Sequence, residues 1–361
     1  MSSSMQRVAA IVAGVALTAI VAGCSSSSST AATSKSATTT AVDPVALFHP
    51  SLPGYKISVF THFAVGGEKF INPDSIALDG NNVFIGYQNI TAKDGSDHLT
   101  STVVQYTMDG TMVKQFTVPG HNDGLRVDPT THLVWATSNE DGNPALNVID
   151  PTSGSVTPYA FPPTPHGGGY DDVYFMNGLA FIAASNPTLD ASGNNVFPAL
   201  DAITLSGSTA VLKPVLMGNA KATDTISGQS VTLNLTDPDS LSVDRKGQLV
   251  LVSQADSELV FIKNPGTPQQ KVSRTLVGDQ LDDTVWSTSD HGRLLVTDAG
   301  SNAIYWVHVD GTAGTIFTQA PNDSGVIDFI GTIDTTTGFV NPVMIGFGKA
   351  TGMAFVPDPA T

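Results

Sequence analysis

The chain has a single cysteine, Cys24. Without a second it forms no internal disulfide, no CxxC redox pair and no thiolate metal cluster. The fold must rest on an apolar core, and 361 residues are enough to bury one. Basic residues are also scarce: 16 Lys and Arg stand against 32 Asp and Glu, for a formal net charge of -16. A surface this acidic repels phosphate backbones and excludes nucleic acid as a partner. Cations and cationic partners are its complement. Apolar residues at helical spacing are rare beyond the first 23 residues, whereas Gly, Thr and Val are frequent. That composition predicts many short strands joined by turns. The HExxH, GxSxG, P-loop, EF-hand and GxGxxG motifs are absent, so the chemistries they carry have no footing in this chain.

The N-terminus reads as an address. Arg7 precedes an apolar run from Val8 to Val21, and small residues follow. This is the pattern of an export signal, and it is short for a membrane span. Its ending, Val21-Ala22-Gly23-Cys24, resembles a bacterial lipobox. The resemblance implies cleavage before Cys24 and a lipid on its sulfur, which anchors the protein to a membrane it does not span. Residues 25–42 are Ser, Thr and Ala with one Lys35, too polar to fold, and read as a tether. The expected organisation is a signal peptide over 1–23, the lipidated cysteine and tether over 24–55, and one folded domain over 56–361. The expected location is the cell envelope, outside the cytoplasm. Ser25 resembles the outer-membrane sorting pattern of hosts with two membranes.

One phrase recurs along the folded region: an Asp, a small residue, an aliphatic residue, then alternating strand residues. Its copies begin at Asp74, Asp123, Asp171 and Asp239, with a looser copy at Asp283 and a last one at Thr351-Gly352 that has lost the acid. After each Asp phrase come a turn and a second apolar strand (Asn82 to Tyr87, Leu133 to Thr137, Leu179 to Ala184, Leu249 to Val252, Leu294 to Thr297). A third and a weaker fourth strand follow. Four strands per unit, repeated roughly every 45–70 residues, predict an all-β propeller of six blades. Lys56 to Phe63 and Gly352 to Val356 are lone strands at the two ends, expected to close one blade between them. Residues 326–345 read as a further hairpin that either fills out the last blade or covers it.

The first strand of each blade lines the central channel. The repeat therefore places Asp74, Asp123, Asp171, Asp239 and Asp283 around one mouth, with Asn139, Asn186, Gln254 and Asp298 nearby at second-strand ends. The long segments 88–101, 185–198, 218–237 and 319–350 are expected on the same face. Carboxylates so gathered repel one another unless a cation, basic side chains, raised pKa values or water offset them. Hard oxygen donors suit Ca²⁺, or Mg²⁺ with retained waters. His121 and His166 lead into the mouth and are candidates for a general base or a metal ligand. A turn Asp that only accepts a backbone N–H, and a loop histidine that only faces solvent, are the plain alternatives. Gly167-Gly168-Gly169 reads as a tight strand start, because no helix follows to form a phosphate cradle.

The stretches DGLRVD…HLVWATSN and GRLLVTDAGSNAIYWV resemble NHL-type repeats and the senescence marker protein/gluconolactonase superfamily of six-bladed propellers, over residues 56–357. The resemblance implies metal ligands on Asn or Asp residues that start inner strands, often just before Gly. Asp123-Gly124 matches, and Asp74-Ser75 and Asp239-Ser240 match with Ser for Gly. Those enzymes also place a Glu at the first inner strand, where Ile71-Asn72-Pro73-Asp74 has none. Two functional readings follow. One is a non-catalytic binding propeller whose acidic mouth holds a cation and a small ligand or an envelope protein. The other is a divalent-metal-dependent lactonase or esterase with metal at Asp123, Asp171 and Asp239 and His121 or His166 as base. An envelope scaffold with an empty channel is a third.

Overall fold

The computed structural model describes residues 43–62, 70–321 and 327–359. The expected signal peptide, Cys24 and the expected tether up to residue 42 lie outside them. A one-turn helix, α1 (Pro44–Phe48), capped by the Asp43 carboxylate, precedes β1 (Tyr55–His62). The strands that follow form antiparallel meanders. The first is β2 (Pro73–Asp79), β3 (Asn82–Tyr87), β4 (Thr100–Thr107) and β5 (Met112–Pro119). The second is β6 (Asn122–Val127), β7 (Val134–Ser138), β8 (Ala145–Ile149) and β9 (Val156–Ala160). The third is β10 (Val173–Met176), β11 (Leu179–Ala183), β12 (Pro198–Ser206) and β13 (Thr209–Met217). The second and third share a sheet only through one parallel pair, Thr209 with Ala160. A hairpin, β14 (Lys221–Asp224) and β15 (Ser230–Thr232), then adds to the outer edge of the fourth meander. That meander is β16 (Pro238–Val243), β17 (Leu249–Ser253), β18 (Glu258–Lys263) and β19 (Lys271–Leu276).

The last strands interleave. They are β20 (Thr284–Trp286), β21 (His291–Asp298), β22 (Ala303–Asp310), β23 (Ile316–Ala320), β24 (Phe329–Asp334), β25 (Phe339–Ile345) and β26 (Ala350–Pro357). The sheets they form are β20-β23-β24-β25 and β26-β21-β22-β1. The two terminal strands therefore do sit in one sheet, with β21 and β22 between them. Two sequence expectations need correcting here. The strands at 294–297 and 302–309 do not follow Asp283 into its own sheet, and of the segment 319–350, read as an elaborated connection on the mouth face, β24 and β25 are strands of that sheet, forming the hairpin expected within 326–345. The reason is physical. A strand buried on both faces has the same apolar pattern whichever inner strand it pairs with, so order along the chain was a poor guide to order in the sheet.

The inner strands β2, β6, β10, β16, β20 and β26 touch in sequence and close a ring, β26 against β2. This radial arrangement is a β-propeller. The second strands explain its stability. All five residues of β7 and of β17 are buried. Alternate residues enter different apolar clusters: Leu249 and Leu251 pack toward the third meander, Val250 and Val252 toward the sheet β20-β23-β24-β25. Outer strands such as β9 and β13 are mostly exposed or half-buried, as the solvated edge of a meander is. Among the described residues, one apolar cluster fills each interface between neighbouring meanders. Residues 43–54, expected to belong to the tether, also pack on the domain. His49 is buried between Tyr305 and Phe347, at ring separations of 4.9 and 4.8 Å. Among the described residues no helix is long and apolar enough to cross a membrane.

Candidate functional site

In three of its five acidic copies the recurrent Asp phrase is a β-bulge. Pairing skips at Pro73/Ile76, at Asn122/Leu125 and at Pro238/Leu241, so Asp74-Ser75, Asp123-Gly124 and Asp239-Ser240 each carry the extra residue of an inner strand. The same skip occurs between β21 and β26, at Thr351-Gly352. A bulge turns a side chain out of the strand's alternation, and here it aims the Asp at the axis. The second residue is small because the next inner strand comes very close. A Cβ on Gly124 would run into the Asp171 carbonyl, and one on Gly352 into that of Asp74. A threonine from the second strand braces each glycine. Thr137 Oγ1 accepts from Gly124 N at 2.8 Å, and Thr297 Oγ1 accepts from Gly352 N at 2.6 Å.

These bulges surround a cavity of about 250 Å³. Asp74, Asp123, Asp171, Asp239, Asp283 and Gln254 all line it, with Thr351 completing the ring. The structure adds three acids, Glu140, Asp172 and Asp282, making eight carboxyl groups against the three basic groups Lys93, Arg126 and Lys349. Arg126 closes the floor. Its Nη2 meets Asp172 Oδ2 at 2.5 Å and Leu241 O at 3.0 Å, and its Nε donates to Val173 O at 3.1 Å. Arg126 also lines a second, more apolar cavity on the opposite side, so the ion pair separates the acidic mouth from the far end of the channel.

Burial, then mutual repulsion, raises the ring acids. Asp74 is pushed up to about 7, with Asp283 as its main charged neighbour. Asp283 also rises to about 7, through burial and the Asp172 charge. Glu140 rises to about 8, through burial and Asp123, although Lys93 pulls the other way. Asp171, Asp239 and Asp282 lie well above the ordinary carboxylate range for the same reasons. Asp123 is raised by burial and Asp74, and its carboxyl hydrogen-bonds to those of Glu140 and Asp171. Gln88 Nε2 donates to its Oδ1 at 2.9 Å.

The two histidines part ways. His166 is buried, its Nε2 lies 2.9 Å from Gly169 O, and its ring packs on Tyr170. It holds the glycine turn and does not line the cavity. His121 joins Asp123 and Glu140 in a cluster whose ligand atoms lie within 4.8 Å of one another. Asn139 does not line the cavity; its Oδ1 accepts His121 N at 2.9 Å and its Nδ2 donates to Asn143 O, fixing the turn that carries Glu140. Asp298 is buried under the backbone N–H groups of Gly300, Gly348 and Lys349, which it accepts, and so steers Lys349 into the cavity. Asn186 is exposed and outside the cavity. Of the long segments, 88–99 brings Lys93 to the mouth. Segment 218–237 instead carries the hairpin on the outer edge.

The donor set fits a divalent cation. It is rich in carboxylate oxygens, and the buried His121 Nε2 has no hydrogen-bond partner. Sequence reasoning missed Glu140, Lys93, Asp172, Arg126 and Asp282. The Asp171-Asp172 and Asp282-Asp283 doublets were visible signals, as was Glu140 beside Asn139.

No protein-family model and no curated protein matches this sequence. Solved structures similar to it include the periplasmic gluconolactonase of Pseudomonas aeruginosa, at 12% identity over 84% of this chain and 99% of that one, TM-score 0.45. A protein from Lactobacillus plantarum is 11% identical over 84% and 99%, TM-score 0.46. Virginiamycin B lyase from Staphylococcus aureus is 11% identical over 85% and 90%, TM-score 0.43.

Proposed function

We propose that this protein is an exported, lipid-anchored propeller whose mouth cavity holds a divalent cation and binds a small polar ligand against it. The observation that carries this reading is the charge imbalance around a floored cavity of about 250 Å³: eight carboxyl groups face three basic ones. With so few basic partners, a bound cation is the means of keeping that many carboxylates ionised at neutral pH. The Arg126–Asp172 pair makes the site a pocket, so a ligand enters and leaves by the acidic mouth. The cation would sit at the edge of the cavity, held by Asp123 and Glu140 of its lining and by His121 behind them. Gln88 and Gln254 remain as neutral groups for the ligand's hydroxyl or carbonyl oxygens.

A hydrolytic role on lactones or esters is the second reading. It is favoured by one observation: Asp171, Asp239 and Asp282 line the same cavity as Asp123 and Glu140, so carboxyl groups beyond the cation's own ligands stand ready to move a proton. The cation would supply polarisation of a carbonyl oxygen. His166 has no part in this reading, since its Nε2 is taken up by Gly169 O.

The first experiment is metal content of the purified protein, with thermal melts in divalent cation and in chelator. Near-stoichiometric metal and a chelator-lowered melting temperature, both lost in Asp123→Ala, support the pocket. No metal and no shift would sink it. A screen of lactones and esters follows; turnover that survives chelator, or that survives Asp123→Ala, would remove the hydrolytic reading. The anchor has its own test. Cys24→Ser should move the protein from the membrane fraction to the soluble one.

A further inference from the structure

Resting on the cation-pocket reading, we infer that the metal is a first-row transition dication of the manganese-to-zinc class, ligated by His121, Asp123 and Glu140, with Lys93 as a built-in competitor. An all-oxygen calcium ring was the expectation from the inner-strand aspartates. The structure brings one nitrogen and two carboxylates within ligand reach instead.

His121 decides between these. It is 5% exposed. Its Nδ1 lies 3.0 Å from Thr91 O and 2.9 Å from Thr91 Oγ1. The carbonyl can only accept, so Nδ1 carries the proton and Nε2 presents a bare lone pair. That atom is buried with no partner. A histidine with one ring nitrogen donating to a backbone carbonyl and the other bare is set up as a metal-ligating imidazole, and on this proposal Nε2 is the ligand atom of the His121, Asp123 and Glu140 cluster. The backbone supports it as well, because Asn139 N donates to His121 O at 2.8 Å while the Asn139 side chain accepts His121 N. Asp123 and Glu140 supply the oxygen donors. Imidazole suits iron-to-zinc ions, and two carboxylates beside it also suit Mn²⁺, whereas Ca²⁺ takes six to eight oxygens.

Lys93 forms an ion pair with Glu140. Its side chain is 55% exposed while that of Glu140 is 11% exposed. The ammonium can therefore swing into solvent when a metal arrives, whereas the carboxylate stays.

The test is calorimetric titration of the metal-free protein with Mn²⁺, Zn²⁺ and Ca²⁺, together with pulsed EPR of the Mn²⁺-loaded wild type. The expected result is one site that prefers Mn²⁺ or Zn²⁺ to Ca²⁺ by at least 100-fold, with a single imidazole nitrogen coupling. His121→Gln and Glu140→Gln should each weaken binding at least 100-fold, and Lys93→Met should tighten it about tenfold. The EPR result needs no variant, so a misfolded mutant does not stall the test. Preferential Ca²⁺ binding without a nitrogen coupling would overturn the donor assignment and leave the cation pocket standing. Binding of none of the three ions would overturn both.

Discussion

Arg126 on β6 and Asp172 just before β10 meet beneath the ring of acids, and the same guanidinium reaches the Leu241 carbonyl on β16. Three inner strands are thus joined by one side chain. Asp172 also accepts Leu241 N at 3.0 Å and Val173 N at 2.7 Å, so its carboxylate is fully used. Removing Arg126 strands a buried negative charge among other acids. Arg126→Met should cost about 3 kcal/mol in urea unfolding. The double variant Arg126→Met/Asp172→Leu should recover most of that loss, because an apolar pair replaces the ionic one. An equal loss in both proteins would mean that packing, not charge, is what Arg126 provides.

The ring acids set a pH dependence. Asp74, Asp283 and Glu140 hold their protons to about 7, 7 and 8 in the folded protein, against 3.8, 3.8 and 4.5 when unfolded. Between these limits the folded state binds more protons than the unfolded state, so stability falls as pH rises. The contribution is fully present below about pH 4 and is lost by about pH 8. Melts in chelator from pH 5 to pH 8 should drop by about 4 °C or more. Saturating divalent cation should flatten that slope. A metal-free protein that gains stability over the same range would contradict the repulsive ring.

Asp239 stands well above the carboxylate range, through burial and then the charges of Asp237 and Asp123. An amide of the same shape removes that repulsion. Asp239→Asn should stabilise the metal-free protein by about 1 kcal/mol at pH 8, roughly 2 °C in Tm, with little effect at pH 5. Paired melts at the two pH values check this.

The folded region begins before its first strand. Leu52 N donates to Val343 O at 2.9 Å, Ile345 N donates to Pro50 O at 3.1 Å, and His49 is sandwiched between Tyr305 and Phe347. A chain starting at residue 55 should be about 2–3 kcal/mol less stable than one starting at residue 43, from lost burial alone. Urea unfolding of the two chains measures the difference. Equal stability would return residues 43–54 to the tether.

Much of this was legible in the sequence because the inner strands repeat one local solution. Asp followed by a small residue marks a bulge, and the small residue records how near the neighbouring strand lies. That is why Asp74, Asp123 and Asp239 could be placed around one mouth without a structure, while Asp171 and Asp283 followed from their place just before an inner strand. What escaped was whatever depends on contacts between distant segments. Glu140 enters the cavity from the turn after β7, and Lys93 from the loop after β3. His121 and His166 look alike in sequence, each a few residues ahead of an inner strand. Only the partner of each ring separates them: Gly169 O engages Nε2 of one, while Thr91 O leaves Nε2 of the other bare. The interleaving of the last two sheets was hidden for the same reason, since strand periodicity carries no label for its partner.

That interleaving also has a kinetic consequence. The sheet holding β1 receives its middle strands near residue 300 and its innermost strand only at Ala350–Pro357. A chain made or exported from its N-terminus therefore carries β1 unpaired until almost all of the protein has emerged. Pairings this distant in sequence make folding slow and leave strand edges open to other chains meanwhile. Loss of the final dozen residues would remove the innermost strand, leaving β21 and β2 facing solvent. Ala350–Pro357 thus act as the fastener of the ring, and a chain that still lacks them exposes the strand edges most open to aggregation.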